Sequence, residues 1–152
     1  MDPGRLGYLG HATFVYPGLT ARENLAFWRD MFGPTVRHMD IDAALDRVEL
    51  LPFAHERAGV FSRGMAQRLN LARVLLLEPE LLLLDEPGTG LDQRSSGMLR
   101  REICQARARG AGVVWISHDA GVDAAMADRV VALERGRVAY DGPAADFGAR
   151  PC

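Results

Sequence analysis

The stretch that decides the fold is Leu81–Asp92, which reads LLLLDEPGTGLD. Four leucines in a row, bounded by chain-breaking residues, are typical of a parallel strand buried on both faces. Two carboxylates follow, at the end of the strand where open α/β sheets bind their ligands. We therefore expect Asp85 to hold Mg²⁺ through its water shell and Glu86 to polarise an attacking water. A solvated acidic turn would not explain Pro87, the glycines and Asp92 at these spacings.

The elements around this strand alternate between helix and strand. The pattern predicts a strand at Arg5–Gly10, helices at 20–33, Ile41–Leu51 and Gly64–Leu77, the strand Leu81–Leu84, a helix from Asp92 to about Arg109, a buried strand at Val113–Ile116, a short helix near Val122–Ala127, and strands at Arg129–Leu133 and Arg137–Tyr140. This order predicts an α/β domain with parallel pairing and right-handed crossovers. Because Thr20–Leu77 is helical and has no strand of its own, we interpret about residues 20–77 as a helical subdomain inserted into a sheet core of residues 1–19 and 78–142. Thr20 and Glu23 fit a capping box at its first helix.

A second block with candidate chemistry lies at Phe61–Arg68, FSRGMAQR, where the third helix begins. A helix N-terminus offers N–H groups and the positive end of a dipole, which together attract anions. Ser62 adds a hydroxyl, and Gly64 lets a phosphate approach the backbone. Serine before a helix is more often only a cap. Its position shortly before LLLLDEP favours a binding role.

The third block is Trp115–Asp119, WISHD, at the end of the next buried strand. A lone histidine at a strand end is more often structural than catalytic. Here one helical crossover separates this strand from the Asp85 strand, so the two strands should be neighbours. We therefore expect His118 to reach the same phosphate as Asp85.

Composition excludes several classes of protein. The 152 residues are 48% hydrophobic and 25% charged with a formal net charge of −2, so no basic surface indicates nucleic-acid binding. The two cysteines have no metal-site spacing. No signal peptide and no run of about 20 apolar residues is present, so the expected location is cytoplasmic, or at a membrane through a partner only.

Together these blocks resemble the ABC ATPase family, the ATP-binding domains of ABC transporters. Ser62-Arg63-Gly64-Met65 resembles the signature loop (normally Ser-Gly-Gly-Gln), Leu81–Glu86 resembles Walker B, Gly90-Leu91-Asp92 resembles the D-loop, His118 resembles the switch histidine, and Tyr8-Leu9-Gly10-His11 falls where the family has its Q-loop. The resemblance implies a P-loop NTPase-like fold that binds ATP with Mg²⁺ and hydrolyses ATP. It implies Glu86 and His118 as catalytic residues, and it implies nucleotide contacts from Ser62, Gly64, Asp85, His11 and Asp92, with Asp85 and His11 near the metal.

Three departures from the family pattern change these expectations. Arg63 and Met65 replace a glycine and the glutamine of the signature, which weakens the expected phosphate binding. His11 replaces the Q-loop glutamine. The family's P-loop, GxxGxGK[ST], should precede the Q-loop, but the chain contains no such pattern and no lysine at all. We therefore expect a partial domain that lacks the N-terminal P-loop part and that has no ATPase activity by itself.

The segment 11–28, HATFVYPGLTARENLAFW, narrows the resemblance. A histidine at the glutamine position, followed by L-T-A-x-E-N-L, is similar to the ATP-binding subunit of the haem exporter of cytochrome c maturation. This resemblance implies a peripheral subunit on the inner face of the cell membrane that couples ATP hydrolysis to transport. Its partners would be membrane-spanning transporter subunits and a second ATP-binding subunit, in a homo- or heterodimer, without nucleic acid.

Two alternatives stay open. The first is a soluble ABC ATPase of DNA repair or chromosome organisation, a class that inserts a long coiled coil between Q-loop and signature. Only about 50 residues separate His11 from Ser62, and they contain no heptads. The second is a non-catalytic truncated remnant. An in-frame GxxGxGK[ST] directly upstream of the Met1 codon would favour a working ATPase over this remnant.

Overall fold

The computed structural model describes residues 6–10, 12–33, 39–89, 91–118 and 123–147. The chain divides into two compact units, Met1–Ile116 and Ser117–Cys152. The first unit contains strands β1 (Leu6–Leu9), β2 (Leu81–Asp85) and β3 (Gly112–Ile116), and helices α1 (Ala21–Phe32), α2 (Ile41–Arg47), α3 (Arg63–Leu76) and α4 (Gln93–Ala108). The second contains strands β4 (Arg129–Glu134) and β5 (Arg137–Pro143) and the short helix α5 (Ala144–Phe147).

The three strands of the first unit form a parallel sheet in the order β1-β2-β3. Leu84 of β2 aligns with Leu9 of β1 and with Trp115 of β3, so β2 is the middle strand. The predicted α/β class, the parallel pairing and the neighbouring positions of the Asp85 and Val113–Ile116 strands are confirmed. All three strands point their carboxyl ends in one direction, which places the residues that follow them along the same end of the sheet.

One face of this sheet is covered by helices. Leu9, Leu82 and Leu84 are buried on this face. Helix α3 packs so closely that a Cβ added at Gly7 would lie 2.7 Å from Cγ1 of Val74, and only glycine fits this point of β1.

The opposite face is apolar and largely open, in agreement with the expectation of a partial domain, although apolar runs of this kind are typical of strands that are covered on both faces. Val114 and Ile116 of β3 are 51% and 55% exposed, and Leu6 and Tyr8 of β1 are exposed beside them. Between them, Leu81 and Leu83 of β2 are only half-buried. An apolar run alone does not tell whether one face or both are covered, because covered and open strands of this kind have the same composition.

The helices before β2 follow the predicted order with one wrong boundary. The capping box at α1 is confirmed: Thr20 Oγ1 accepts from Glu23 N at 3.2 Å, and Glu23 Oε2 accepts from Thr20 N at 2.8 Å. Helix α2 ends at Arg47 rather than near Leu51. The reason is Glu49, whose φ of 56° is left-handed and cannot continue a right-handed helix. A separate 3₁₀ turn follows at Leu51–Phe53.

The second unit contains an antiparallel hairpin. Strands β4 and β5 pair through a turn at Arg135 and Gly136, both of which have positive φ, 50° and 75°. Such a turn matches the right-handed twist of the strands that it joins. The predicted helix near Val122–Ala127 is, in its described part, a 3₁₀ turn at Ala124–Met126. None of the described helices is long and apolar enough to cross a membrane.

Candidate functional site

The carboxyl end of β2 holds the two acidic residues that the sequence singled out. Asp85 is the last residue of the strand and aligns with Ile116, the last residue of β3. The backbone N–H of Glu86 donates to the carbonyl oxygen of Ile116 at 3.0 Å. Glu86 has a φ of 49°, a left-handed conformation that costs roughly 1–2 kcal/mol for a residue with a side chain. This conformation turns the chain sharply out of the sheet immediately after Asp85.

Thr89 supports Glu86 in a way that the sequence reading missed. Its hydroxyl donates to Oε2 of Glu86 at 3.3 Å, and its backbone N–H donates to the carbonyl oxygen of Glu86 at 3.1 Å. Both bonds belong to the turn that follows β2. A threonine three residues after an acidic residue in a turn is a recognisable signal, because Ser and Thr often bond to residues of their own turn.

A magnesium ion fits the donors at this point. Magnesium in nucleotide sites is held by one or two carboxylates together with phosphate oxygens and water. Asp85 is partly accessible and supplies such a carboxylate. The part of the chain that the structure describes contains no group of three or more His, Cys, Asp or Glu side chains that could hold a metal. Asp85 would therefore hold the ion together with water and phosphate, and the ion would neutralise phosphate charge.

Ser62 caps helix α3, and Gly64 leaves the helix N-terminus open. Ser62 Oγ accepts from Met65 N at 3.2 Å, which is the capping role that such a serine usually has. Its own hydroxyl proton is left for a further acceptor. A Cβ added at Gly64 would meet only Ser62 Oγ, at 4.0 Å. The first turn of α3 is thus accessible from outside the helix, as an anion site requires.

Asp92 has a clear local role as the N-cap of α4. Its Oδ1 accepts from Ser95 N at 2.7 Å. Hydrogen bonds from the backbone and side chain of Ser95 lower the pKa of the Asp92 carboxyl, with smaller contributions from Arg68 and Arg94. The nucleotide contact that the resemblance implies for Asp92 stays a prediction.

The structure brings together only some of the predicted site residues. Asp85 and Glu86 are adjacent at the end of β2, whereas Ser62 and Asp92 begin two different helices of the same unit. His118 is exposed and belongs to the second unit, so its approach to the phosphate stays a prediction. The predictions for His11 and for Gly90 of the D-loop fall outside the described residues.

A half-buried arginine near the end of α3 also escaped the sequence reading. Arg73 Nη2 donates to the carbonyl oxygen of Tyr8 in β1 at 2.9 Å, and its Nε donates to Asn70 Oδ1, also at 2.9 Å. Its guanidinium carbon lies 5.2 Å from the ring centre of Phe14 and 4.9 Å from that of Trp28. Burial lowers the pKa of Arg73 to about 10, so it still carries its charge at neutral pH. Its signal in the sequence is a cation between two buried apolar residues of a helix.

Comparison with known proteins identifies the family. The family model described as ABC transporter matches residues 2–89. The chain is 32% identical over 148 residues to the linearmycin resistance ATP-binding protein LnrL of Bacillus subtilis, with 96% of this chain and 48% of that protein covered. It is 41% identical over 115 residues to the cytochrome c biogenesis ATP-binding export protein CcmA of Rhodospirillum rubrum, with 76% of this chain and 48% of that protein covered.

A solved structure gives the same result. The structure of an ATP binding subunit of an ABC transporter superposes with a TM-score of 0.81 at 26% identity, and it covers 98% of this chain and 65% of that one. The chain spans about half the length of the curated relatives that it matches. The sequence match and the superposition lead to the same conclusion: the chain belongs to the ABC transporter family, as part of an ATP-binding domain.

Proposed function

We propose that this chain is part of an ATP-hydrolysing subunit in which Glu86 polarises the water that attacks the γ-phosphate of Mg²⁺-bound ATP. The observation that carries the proposal is the position of Asp85 and Glu86 at the carboxyl end of the middle strand, with Glu86 bonded to Ile116 and Thr89. Ser62 and Gly64 at the open N-terminus of α3 supply the phosphate contacts, and His118 holds the γ-phosphate.

The experiment is ATP turnover by the assembled protein that contains this chain and a complete nucleotide site. Glu86→Gln keeps the size of the side chain and removes its ability to accept a proton, so we expect turnover to fall at least about a hundredfold. The matched control is Glu56→Gln, because Glu56 is exposed in the loop before α3. Turnover by Glu86→Gln near the wild-type rate would reject the assignment of Glu86.

The 152 residues alone are proposed to be inactive. They contain no lysine and no GxxGxGK[ST] pattern, and this pattern grips the β- and γ-phosphates in P-loop enzymes. Titration of the chain with micromolar ATP should therefore give no saturable binding. A clear binding isotherm would show that the chain builds a phosphate site from other residues.

The proposed partners are membrane-spanning subunits, which would hold the protein on the inner face of the cell membrane beside a second ATP-binding subunit. The surface that best fits such a subunit is an aromatic patch formed by Phe14, Tyr16, Phe27 and Met31, each 40–54% exposed. Clusters of exposed apolar side chains mark interaction sites. Helices α1 and α2 have only 12 and 7 residues, which favours a transporter-type domain over an ATPase with a coiled-coil arm.

A more specific proposal is that the chain belongs to the ATP-binding subunit of the haem exporter of cytochrome c maturation. It is supported by the segment 11–28 and by the similarity to CcmA. Relatives named for linearmycin resistance and molybdenum import are also similar, at 32% and 38% identity. Loss of haem-loaded c-type cytochromes after deletion of the gene would support the haem exporter, and unchanged levels would reject it.

A further inference from the structure

Arg73 lies at the far end of the helix that Ser62 begins. Its neighbours Ala72 and Val74 are buried in the core, yet Arg73 itself carries a charge. Arg73 is half-buried, and withdrawing a cation from water even in part is unfavourable unless specific partners replace the lost water contacts. The contacts of Arg73 therefore indicate its structural role.

These partners come from three other parts of the first unit. The carbonyl oxygen of Tyr8 belongs to β1, the ring of Phe14 to the segment that follows β1, and the ring of Trp28 to α1. Asn70 Oδ1, on α3 itself, accepts from Nε and fixes the plane of the guanidinium. One side chain thus connects α3 to the strand, the segment and the helix that surround it.

The segment that Arg73 holds is also fastened to α1. Trp28 Nε1 donates to the carbonyl oxygen of Phe14 at 3.1 Å. Asn24 is buried, accepts from Tyr16 N at 2.7 Å and donates to Tyr16 O at 3.1 Å. Phe14 and Tyr16 belong to the aromatic patch, and the Tyr16 ring contacts Phe27, another member, at 4.8 Å between ring centres. The patch, α1 and Arg73 therefore form one connected set of contacts.

We propose that Arg73 is a positioning residue that locks the aromatic patch to helix α3, so that a partner docking on the patch moves Ser62. The roles of the patch and of Ser62 rest on the proposed function. The lock itself rests only on the contacts of Arg73. A rigid helix transmits displacement along its length, and Ser62 caps the other end of α3.

The geometry requires arginine rather than any cation. The guanidinium donates to Tyr8 O through Nη2 and to Asn70 Oδ1 through Nε, while its carbon lies over the rings of Phe14 and Trp28. A lysine ammonium is a point charge and cannot do both. Arg73→Lys should therefore keep the charge and lose the lock, whereas a residue that only fills space would tolerate the change.

The first test is hydrogen exchange in the wild-type chain and in the variants Arg73→Met, Arg73→Lys and Arg101→Met. We expect Arg73→Met to speed exchange of the amides at 14–21 about tenfold, and Arg73→Lys about threefold, because both hydrogen bonds and both ring contacts of Arg73 are lost in full or in part. Arg101 is exposed on α4 and is the matched control, with no change expected. Unchanged exchange at 14–21 in Arg73→Met would overturn the proposal.

The second test separates a lock from a general contribution to stability. Trp28→Phe removes a contact beside the patch, and we expect it to speed exchange of the Ala66 amide, which bonds to Ser62 O at 2.9 Å. In the Arg73→Met background the same change should leave Ala66 unaffected, because the connection is already broken. Equal effects of Trp28→Phe in both backgrounds, or equally faster exchange at Leu82–Leu84, would overturn the lock. Neither test uses ATP, so their outcome is independent of the proposed hydrolysis.

Discussion

The amide of Glu86 donates to the carbonyl oxygen of Ile116, so the candidate base is held by β3 as well as by its own strand. The bond joins the residue after β2 to the last residue of β3, at the point where the parallel ladder ends. The left-handed backbone of Glu86 is thus fixed from two sides. Strained backbone persists only where its surroundings determine it in this way.

Removal of the Thr89 hydroxyl should slow hydrolysis moderately. The hydroxyl donates to Glu86 Oε2, and a hydrogen bond contributes about 1 kcal/mol net, so Thr89→Val should lower kcat about fivefold in the assembled protein. Thr89→Ser keeps the donor and should retain most of the rate. Steady-state kinetics of the two variants decide the matter. Equal rates for Thr89→Val and Thr89→Ser would show that the bond does not act in catalysis.

The ion pair between Arg47 and Glu102 should matter greatly for stability. Glu102 of α4 is only 2% exposed, and Arg47 of α2 reaches both it and Gln105. Removing one partner of a buried pair leaves a charge without compensation, so Arg47→Met should cost about 3–5 kcal/mol in the free energy of unfolding.

The matched control for this prediction is an exposed pair. Arg129 and Asp141 bond at 2.8 Å on the β4–β5 hairpin, where both side chains are in contact with water. Arg129→Met should therefore leave the free energy of unfolding nearly unchanged. Urea denaturation of both variants gives the comparison. A cost for Arg47→Met as small as that for Arg129→Met would contradict the importance of the buried pair.

The open face of the sheet should make the 152-residue chain self-associate. Val114 and Ile116 expose apolar surface, and within the described residues β3 pairs only with β2, so its other edge can bond to another chain. The double change Val114→Thr and Ile116→Thr should raise the monomer fraction in light scattering without loss of far-ultraviolet circular dichroism. The corresponding change at a buried position of the sheet, Leu84→Thr, should unfold the chain. Association that persists in the double variant would show that the chains associate through a different surface.

Local sequence patterns predicted much of this fold. Features that depend on contacts between residues distant in sequence were not predicted. The cap at Thr20 and the start of α4 after Asp92 depend on residues within one turn, and both were predicted. The exposure of Val114 depends on what covers the sheet, which no local pattern contains. The contact of Arg73 with Tyr8 joins residues 65 positions apart, so only the folded chain brings it about. Asp85 and Glu86 could be predicted as neighbours at a strand end because that part of the site is contiguous in sequence.

Acid should loosen the start of α4 through Asp92. Hydrogen bonds from Ser95 lower the pKa of Asp92 in the folded state, so its stabilising effect is complete above the pKa of the unfolded chain, near 4. The effect is lost as the pH falls through the lower pKa of the folded state. Hydrogen exchange at the Ser95 amide should therefore rise below about pH 4 beyond its intrinsic acid dependence. Asp92→Asn keeps a capping oxygen without a charge and should remove this extra rise; an identical rise in that variant would contradict the assignment.

The most direct test of the central claim is the identity of the nucleotide that the assembled protein retains after incubation with Mg²⁺ and ATP. If Glu86 polarises the attacking water, the Glu86→Gln protein should bind ATP as tightly as the wild type and keep it as ATP, because only the chemical step is lost. Wild-type protein should hold mostly ADP under the same conditions. Chromatography of the released nucleotide measures the ratio. Retained ADP in Glu86→Gln at the wild-type proportion would contradict the account.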